Sequence, residues 1–184
     1  PFTSPLMEER EVKKITILVF GSDDGLCGAY NVNIFKLLVT RVNELREKFG
    51  KNIAVEILPI GKKMQKAVSR IAAGNITLRT IDGIDSKTTG LGVKKFVDLL
   101  RDAFVAGDTD RVDYLYMNFR SVSRQRPVFG QFLPVTTQAF YAEGVRPSNR
   151  PYIFEPDAAS IFNAALPMLL LAVMQDIFTE NRAS

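Results

Sequence analysis

The residues best suited to chemistry lie in one stretch, Gly21-Ser22-Asp23-Asp24-Gly25-Leu26-Cys27-Gly28, between an apolar run and a helical pattern. A glycine-rich turn in that place can cradle a phosphate at a helix N-terminus. The spacing argues against it here. Gly21, Gly25 and Gly28 do not make GxGxxG, and no GK[ST] follows. Two aspartates in the turn would also repel a pyrophosphate. Asp23 and Asp24 have a second reading, as a Mg²⁺ site beside a phosphoacceptor aspartate. Asp82 or Asp85 could be that acceptor, but the site also needs a lysine after a later strand, and none occurs beyond Lys95. A Mg-dependent phosphoacceptor or small-ligand-binding α/β domain is kept as the alternative function. Cys27 has no base near it in sequence, so it reads as a small packed side chain rather than a nucleophile.

What the chain lacks is as informative. It has no histidine and a single cysteine. Ser-His-Asp and Cys-His catalysis are therefore impossible, and a zinc site has too few ligands. The expectation is no catalytic residue, no cofactor and no metal. Two basic clusters, Lys62, Lys63, Lys66 with Arg70 and Arg120, Arg124 with Arg126, read as solvated faces. The net charge of +4 permits an acidic partner. Aromatic residues are not interleaved with the basic ones, so no nucleic-acid partner is expected.

The elements that must position the turn follow from periodicity. Val12 to Phe20 ends in a continuous β-branched run, the pattern of a strand buried on both faces. After the turn, Asn31 opens a helix with Phe35, Leu38, Val39, Val42, Leu45 and Phe49 inward, closed by Gly50. A strand from Ile53 to Ile60, a helix from Lys62 to Ala73, a strand from Ile76 to Ile81, a polar loop from Asp82 to Thr89, a helix from Leu91 to Ala106 and a strand from Val112 to Phe119 come next. This alternation predicts an α/β fold, a Rossmann-like, mostly parallel sheet with helices on both faces. Ser121 to Val135 reads as an added, antiparallel strand, Thr136 to Arg150 as a loop, and Pro151 to Pro156 as a short strand. Asp157 or Ser160 then caps a long helix whose apolar stripe runs from Ile161 to Phe178. Pattern alone leaves open whether the sheet or another helix covers that stripe.

The length suits one domain with a real core. The lone cysteine fits a reducing compartment. Pro1 to Pro5 lack the apolar segment of a signal peptide. The most apolar run, Ala164 to Met174, is about a third to half of a bilayer span and contains Pro167. A first residue that is proline, and a last helix with no stop signal, suggest a fragment or a processed product.

Several of these stretches together resemble the γ subunit of F-type ATP synthase. Ser22-Asp23-Asp24-Gly25-Leu26-Cys27-Gly28-Ala29-Tyr30-Asn31 is similar to that family's signature turn, in Ser22, Asp23, Gly25, Leu26, Cys27, Gly28 and Asn31. A basic residue is common in the family where Asp24 stands. Ile60-Gly61-Lys62-Lys63, Tyr152-Ile153-Phe154-Glu155-Pro156-Asp157, Leu166-Pro167 and the closing Glu180-Asn181-Arg182-Ala183-Ser184 follow in the family's order. The resemblance covers essentially the whole chain. It implies a non-catalytic central-stalk (rotor) subunit of a proton-translocating enzyme, coupling rotation of the membrane c-ring to ATP synthesis in the catalytic subunits. It implies a globular foot over 1–158 and the start of a C-terminal shaft helix over 159–184, leading into a truncated coiled coil. The foot would meet the c-ring and the ε subunit through Tyr152, Phe154 and Glu155. The missing coiled coil would meet the α and β subunits. The subunit would sit peripherally on the cytoplasmic face of the bacterial inner membrane, with no transmembrane span. With its partner helix absent, the stripe from Leu169 to Phe178 is expected to fray or to dimerise.

Overall fold

The computed structural model of the chain describes residues 4–21, 28–69, 75–121, 124–136 and 155–182, with side chains except at 28–33, 118–121, 124–126, 155–162 and 182. A 3₁₀ turn, Pro5–Met7, precedes β1 (Lys14–Phe20), α1 (Gly28–Phe49), β2 (Ala54–Ile60), α2 (Lys62–Val68), β3 (Ile76–Leu78), α3 (Leu91–Ala106), β4 (Arg111–Ser121), β5 (Arg124–Leu133) and α4 (Glu155–Arg182). The strands form one five-stranded sheet in the order β3-β2-β1-β4-β5. All neighbours are parallel except β4 and β5, whose pairing is antiparallel. The Rossmann-like expectation holds, and the added antiparallel strand is β5.

Burial explains why the central strands read as unbroken apolar runs. Ile15, Ile17 and Val19 of β1, with Val55 and Ile57 of β2, face α1 and α2. Leu18 and Phe20, with Leu58 and Ile60, face α3 and α4 on the other side. Both faces are covered, so alternation sorts residues between two cores rather than between core and water.

Each helix contributes one stripe. In α3 the buried residues are Val93, Phe96, Val97, Leu100 and Phe104, as the spacing predicts. In α1 they are Ile34, Leu38, Val42 and Leu45, while Phe35, Val39 and Phe49, expected inside, are only half-buried. Ile34 replaces Phe35 because it stands at i, i+4, i+8 with Leu38 and Val42.

Some boundaries differ from expectation. α2 is described over Lys62–Val68, with the Ser69 hydroxyl donating to the Lys66 carbonyl at 2.6 Å, and residues 70–73, expected in this helix, lie outside the described residues. β3 is shorter, because the chain leaves the sheet edge after Arg79 donates its amide to Ile57. Glu155 and Pro156, expected in a strand, open α4 instead, ahead of the Asp157 or Ser160 caps. Proline lacks an N–H and has a helical φ, so it suits a first helical turn.

The largest correction concerns α4. Leu166, Leu169, Leu170, Met174, Ile177 and Phe178 are buried in one core with α3 and the sheet. Phe178 meets Phe20 edge to face at 5.1 Å between ring centres, and Phe96 at 6.1 Å. The stripe thus has its partner within the domain, so neither fraying nor dimerisation is needed to cover it.

At the opposite end of the sheet, one carboxylate ties three segments. Asp110 accepts from the backbone amides of Lys13 and Lys14 at 2.9 and 3.0 Å and from Arg10 Nε at 3.0 Å. Arg10 also donates to the carbonyls of Phe104 and Thr109, and lies 4.2 Å from the centre of the Phe104 ring. Burial raises the Asp110 pKa, but the two amides and Arg10 outweigh it and hold the carboxyl below its ordinary value of 3.8. A depressed folded pKa stabilises the fold above the unfolded pKa, and that contribution disappears as pH falls through the folded value. Asp110→Asn is expected to lower stability by about 2 kcal/mol at neutral pH. The difference from wild type should shrink below pH 3.8. Urea midpoints measured across that range test both statements.

Candidate functional site: the first turn and the end of the C-terminal helix

The chain reverses its winding between β1 and β4. The helices after β1 and β2 lie on one face, and α3, which precedes β4, lies on the other. In open α/β sheets, ligands bind outside the strand C-termini at such a switch point. The turn after β1 starts there. Ser22, Asp23, Gly25, Leu26 and Cys27 lie outside the described residues, while Gly28 and Asn31 fall in the backbone of α1.

Gly21, the residue that launches the turn, is held from three directions. Its amide donates to the Ile60 carbonyl at the end of β2, at 2.8 Å. Its carbonyl accepts from Asn181 Nδ2 of α4 at 3.0 Å. A Cβ at Gly21 would stand 2.6 Å from Met64 Cβ of α2, so only glycine lets α2 come this close. Asn181 is buried, and Phe178 lies one turn below it against Phe20.

The place where a dinucleotide sits in related topologies is therefore met by the chain's own C-terminal helix. This is a packed joint between a sheet and a helix. Sequence reasoning named Asn181 only as part of a terminal motif. The signal that could have found its role is positional: Met174, Phe178 and Asn181 stand at helical spacing, so a polar residue continues the apolar stripe.

The Mg²⁺ phosphoacceptor reading is not favoured. Asp82 and Asp85 follow β3, and β2 separates β3 from β1. Two strand spacings set β3 about 10 Å across the sheet from β1, and β3 ends level with Ile17, short of the end of β1. Asp85 Oδ1 accepts from the Lys87 amide at 2.9 Å, and the Asp85 amide donates to the Thr88 hydroxyl at 2.8 Å, so this aspartate organises its own loop. Among the described residues there is no cluster of three acidic, histidine or cysteine side chains placed for a metal.

A cleft of about 310 Å³ opens at the other end of the sheet, lined by Lys14, Thr16, Glu56, Arg79, Asp108 and Thr109. Its charges largely satisfy one another. Glu56 pairs with Lys14 at 3.4 Å and Arg79 at 3.0 Å, and the Thr16 hydroxyl donates to Thr109 Oγ1 at 2.9 Å. Lys62, Lys63 and Lys66 are exposed on α2. Arg120, Arg124 and Arg126 lie on β4 and β5, where Arg124 pairs with Ser121 and Arg126 with Asn118. Arg70, Tyr152 and Phe154 lie outside the described residues, and of Glu155 only the backbone, at the start of α4, is described.

Gly21→Ala is expected to cost about 1–3 kcal/mol, because Met64 Cβ belongs to the root of a helical side chain and yields only if α2 moves. Thermal unfolding measures it, with an expected drop in Tm of about 2–4 °C per kcal/mol. An unchanged Tm would show that α2 is not firmly seated on this turn.

Comparison with known proteins agrees with this architecture. A family model described as ATP synthase matches residues 2–184. The chain is 33% identical to an ATP synthase gamma chain of Polynucleobacter asymbioticus, over 100% of this chain and 62% of that protein. It is 32% identical to one of Bacteroides fragilis, over 97% and 60% respectively. The chain thus spans about three fifths of the length of these relatives. Among solved structures, it is similar in fold to a chain of the central stalk and c-ring of Tetrahymena thermophila mitochondrial ATP synthase. That match has a TM-score of 0.59 at 16% identity, over 96% of this chain and 73% of that one. A chain from the rotor of Euglena gracilis mitochondrial ATP synthase gives 0.55 at 14%, over 93% and 62%. On the family match across its length and its kinship with these gamma chains, this chain belongs to the ATP synthase gamma-chain family.

Proposed function

We propose that this domain is the foot of a rotor, a non-catalytic central-stalk subunit of a proton-translocating F-type ATP synthase. The observation that carries this reading is the seating of α4. A single helix, Glu155–Arg182, is packed along the sheet and tied at Gly21 to the end of β1. Torque applied to the sheet reaches the helix through a close-packed core, which transmits strain rather than absorbing it. The catalytic chemistry belongs to neighbouring subunits.

In this reading, residues 1–158 are the foot, and the helix from 159 onward leads into a coiled-coil shaft that turns among the α and β subunits. The foot rests on the c-ring and the ε subunit. Glu155 offers a carboxylate to cationic loops of the ring, with Tyr152 and Phe154 as aromatic anchors. The subunit is peripheral to the membrane, on the cytoplasmic face in a bacterium. Among the described residues, no helix is long and apolar enough to cross a membrane.

The test is co-purification of the full-length subunit with the ε subunit and the c-ring. Recovery of both is expected, and a subunit that assembles with neither would remove the rotor reading. Within the assembled enzyme, Glu155→Lys is expected to cut ATP-driven proton pumping while ATP hydrolysis continues. A loss of about tenfold corresponds to one interfacial charge pair reversed. Pumping at the wild-type level would take Glu155 out of the interface.

A further inference from the structure

We propose that Asn181 is a positioning residue that sets the rotation and height of α4 against the sheet, so that turning the foot turns the shaft in register. The proposal rests on the rotor reading above and goes beyond it in naming the contact that carries registration.

The core contacts of α4 among the described residues are apolar: Leu166, Leu169, Leu170, Met174, Ile177 and Phe178. Apolar burial is strong but non-directional. A helix held only by such ridges can settle in neighbouring packings that bury similar area. A hydrogen bond is different, because it fails outside a narrow range of distance and angle. Asn181 supplies that constraint, with its side-chain amide 3.0 Å from the Gly21 carbonyl and only 4% of its surface exposed.

The acceptor is itself immobilised. Gly21 is fixed by its amide bond to Ile60 and by the contact with Met64. The bond therefore ties α4 at once to β1, β2 and α2. It also lies in the last described turns of α4, the end of the helix at the strand C-termini. A small roll of the helix there would move Asn181 out of reach while leaving much of the apolar area buried.

The experiment uses the assembled enzyme in vesicles and measures protons pumped per ATP hydrolysed. Asn181→Leu keeps the number and branching of the side-chain heavy atoms and removes the donor. It is expected to lower that ratio about threefold with hydrolysis retained. Asn181→His, whose Nδ1–H can stand where the amide stood, should recover part of it. Ile177→Val thins the apolar seat without touching the bond and should lower Tm but leave the ratio at the wild-type value. If Asn181→Leu pumps as wild type does, or if Ile177→Val lowers the ratio as much, Asn181 is a packing residue and the proposal fails. Should Asn181→Leu not assemble, Asn181→Ser is read by the same criterion. A wild-type subunit that neither assembles nor couples would remove the rotor reading itself, which separates the two failures.

Discussion

The face of the sheet bearing Leu18, Phe20, Leu58 and Ile60 must be covered, and α3 alone does not cover it. α4 completes the layer, with Phe178 set edge-on to both Phe20 and Phe96. Fully buried aromatic and aliphatic side chains contribute about 1.5–3 kcal/mol each, so this layer decides whether β1 has two protected faces or one. Everything else at the joint depends on that seating. It delivers Asn181 to Gly21, and it places the end of α4 at the switch point of the sheet.

Much of the fold was legible from periodicity. β1 and β2 declare themselves as largely apolar runs because both their faces are buried. The α3 stripe was legible to the residue, since nothing interrupts its spacing. The start of α4 was not, because Pro156 reads as a break when seen from a strand and as a helical first turn when seen from the helix. The partner of the α4 stripe was equally hidden. A stripe states that a helix must be covered, but not whether a sheet or another helix does so.

The joint was partly legible. Glycine-rich turns after a first strand draw attention by themselves, and the absent GxGxxG and GK[ST] spacing removed the nucleotide reading. Strand order weighs against the phosphoacceptor reading, and no periodicity reveals strand order directly. Asn181 needed a long-range contact to be understood, for its partner Gly21 lies at the other end of the chain.

That separation bears on how the protein is made. β1, α1, β2 and α2 leave the ribosome early and together bury Ile15, Ile17, Val19, Val55 and Ile57. The opposite face of the same strands is completed only by residues 166 to 178, which are made after the whole sheet. Until then α3 alone shelters that face, and Leu18 and Phe20 stay partly open to chaperones or to sticky neighbours. The helix that Asn181 ties to the first turn is also the one whose arrival closes the core.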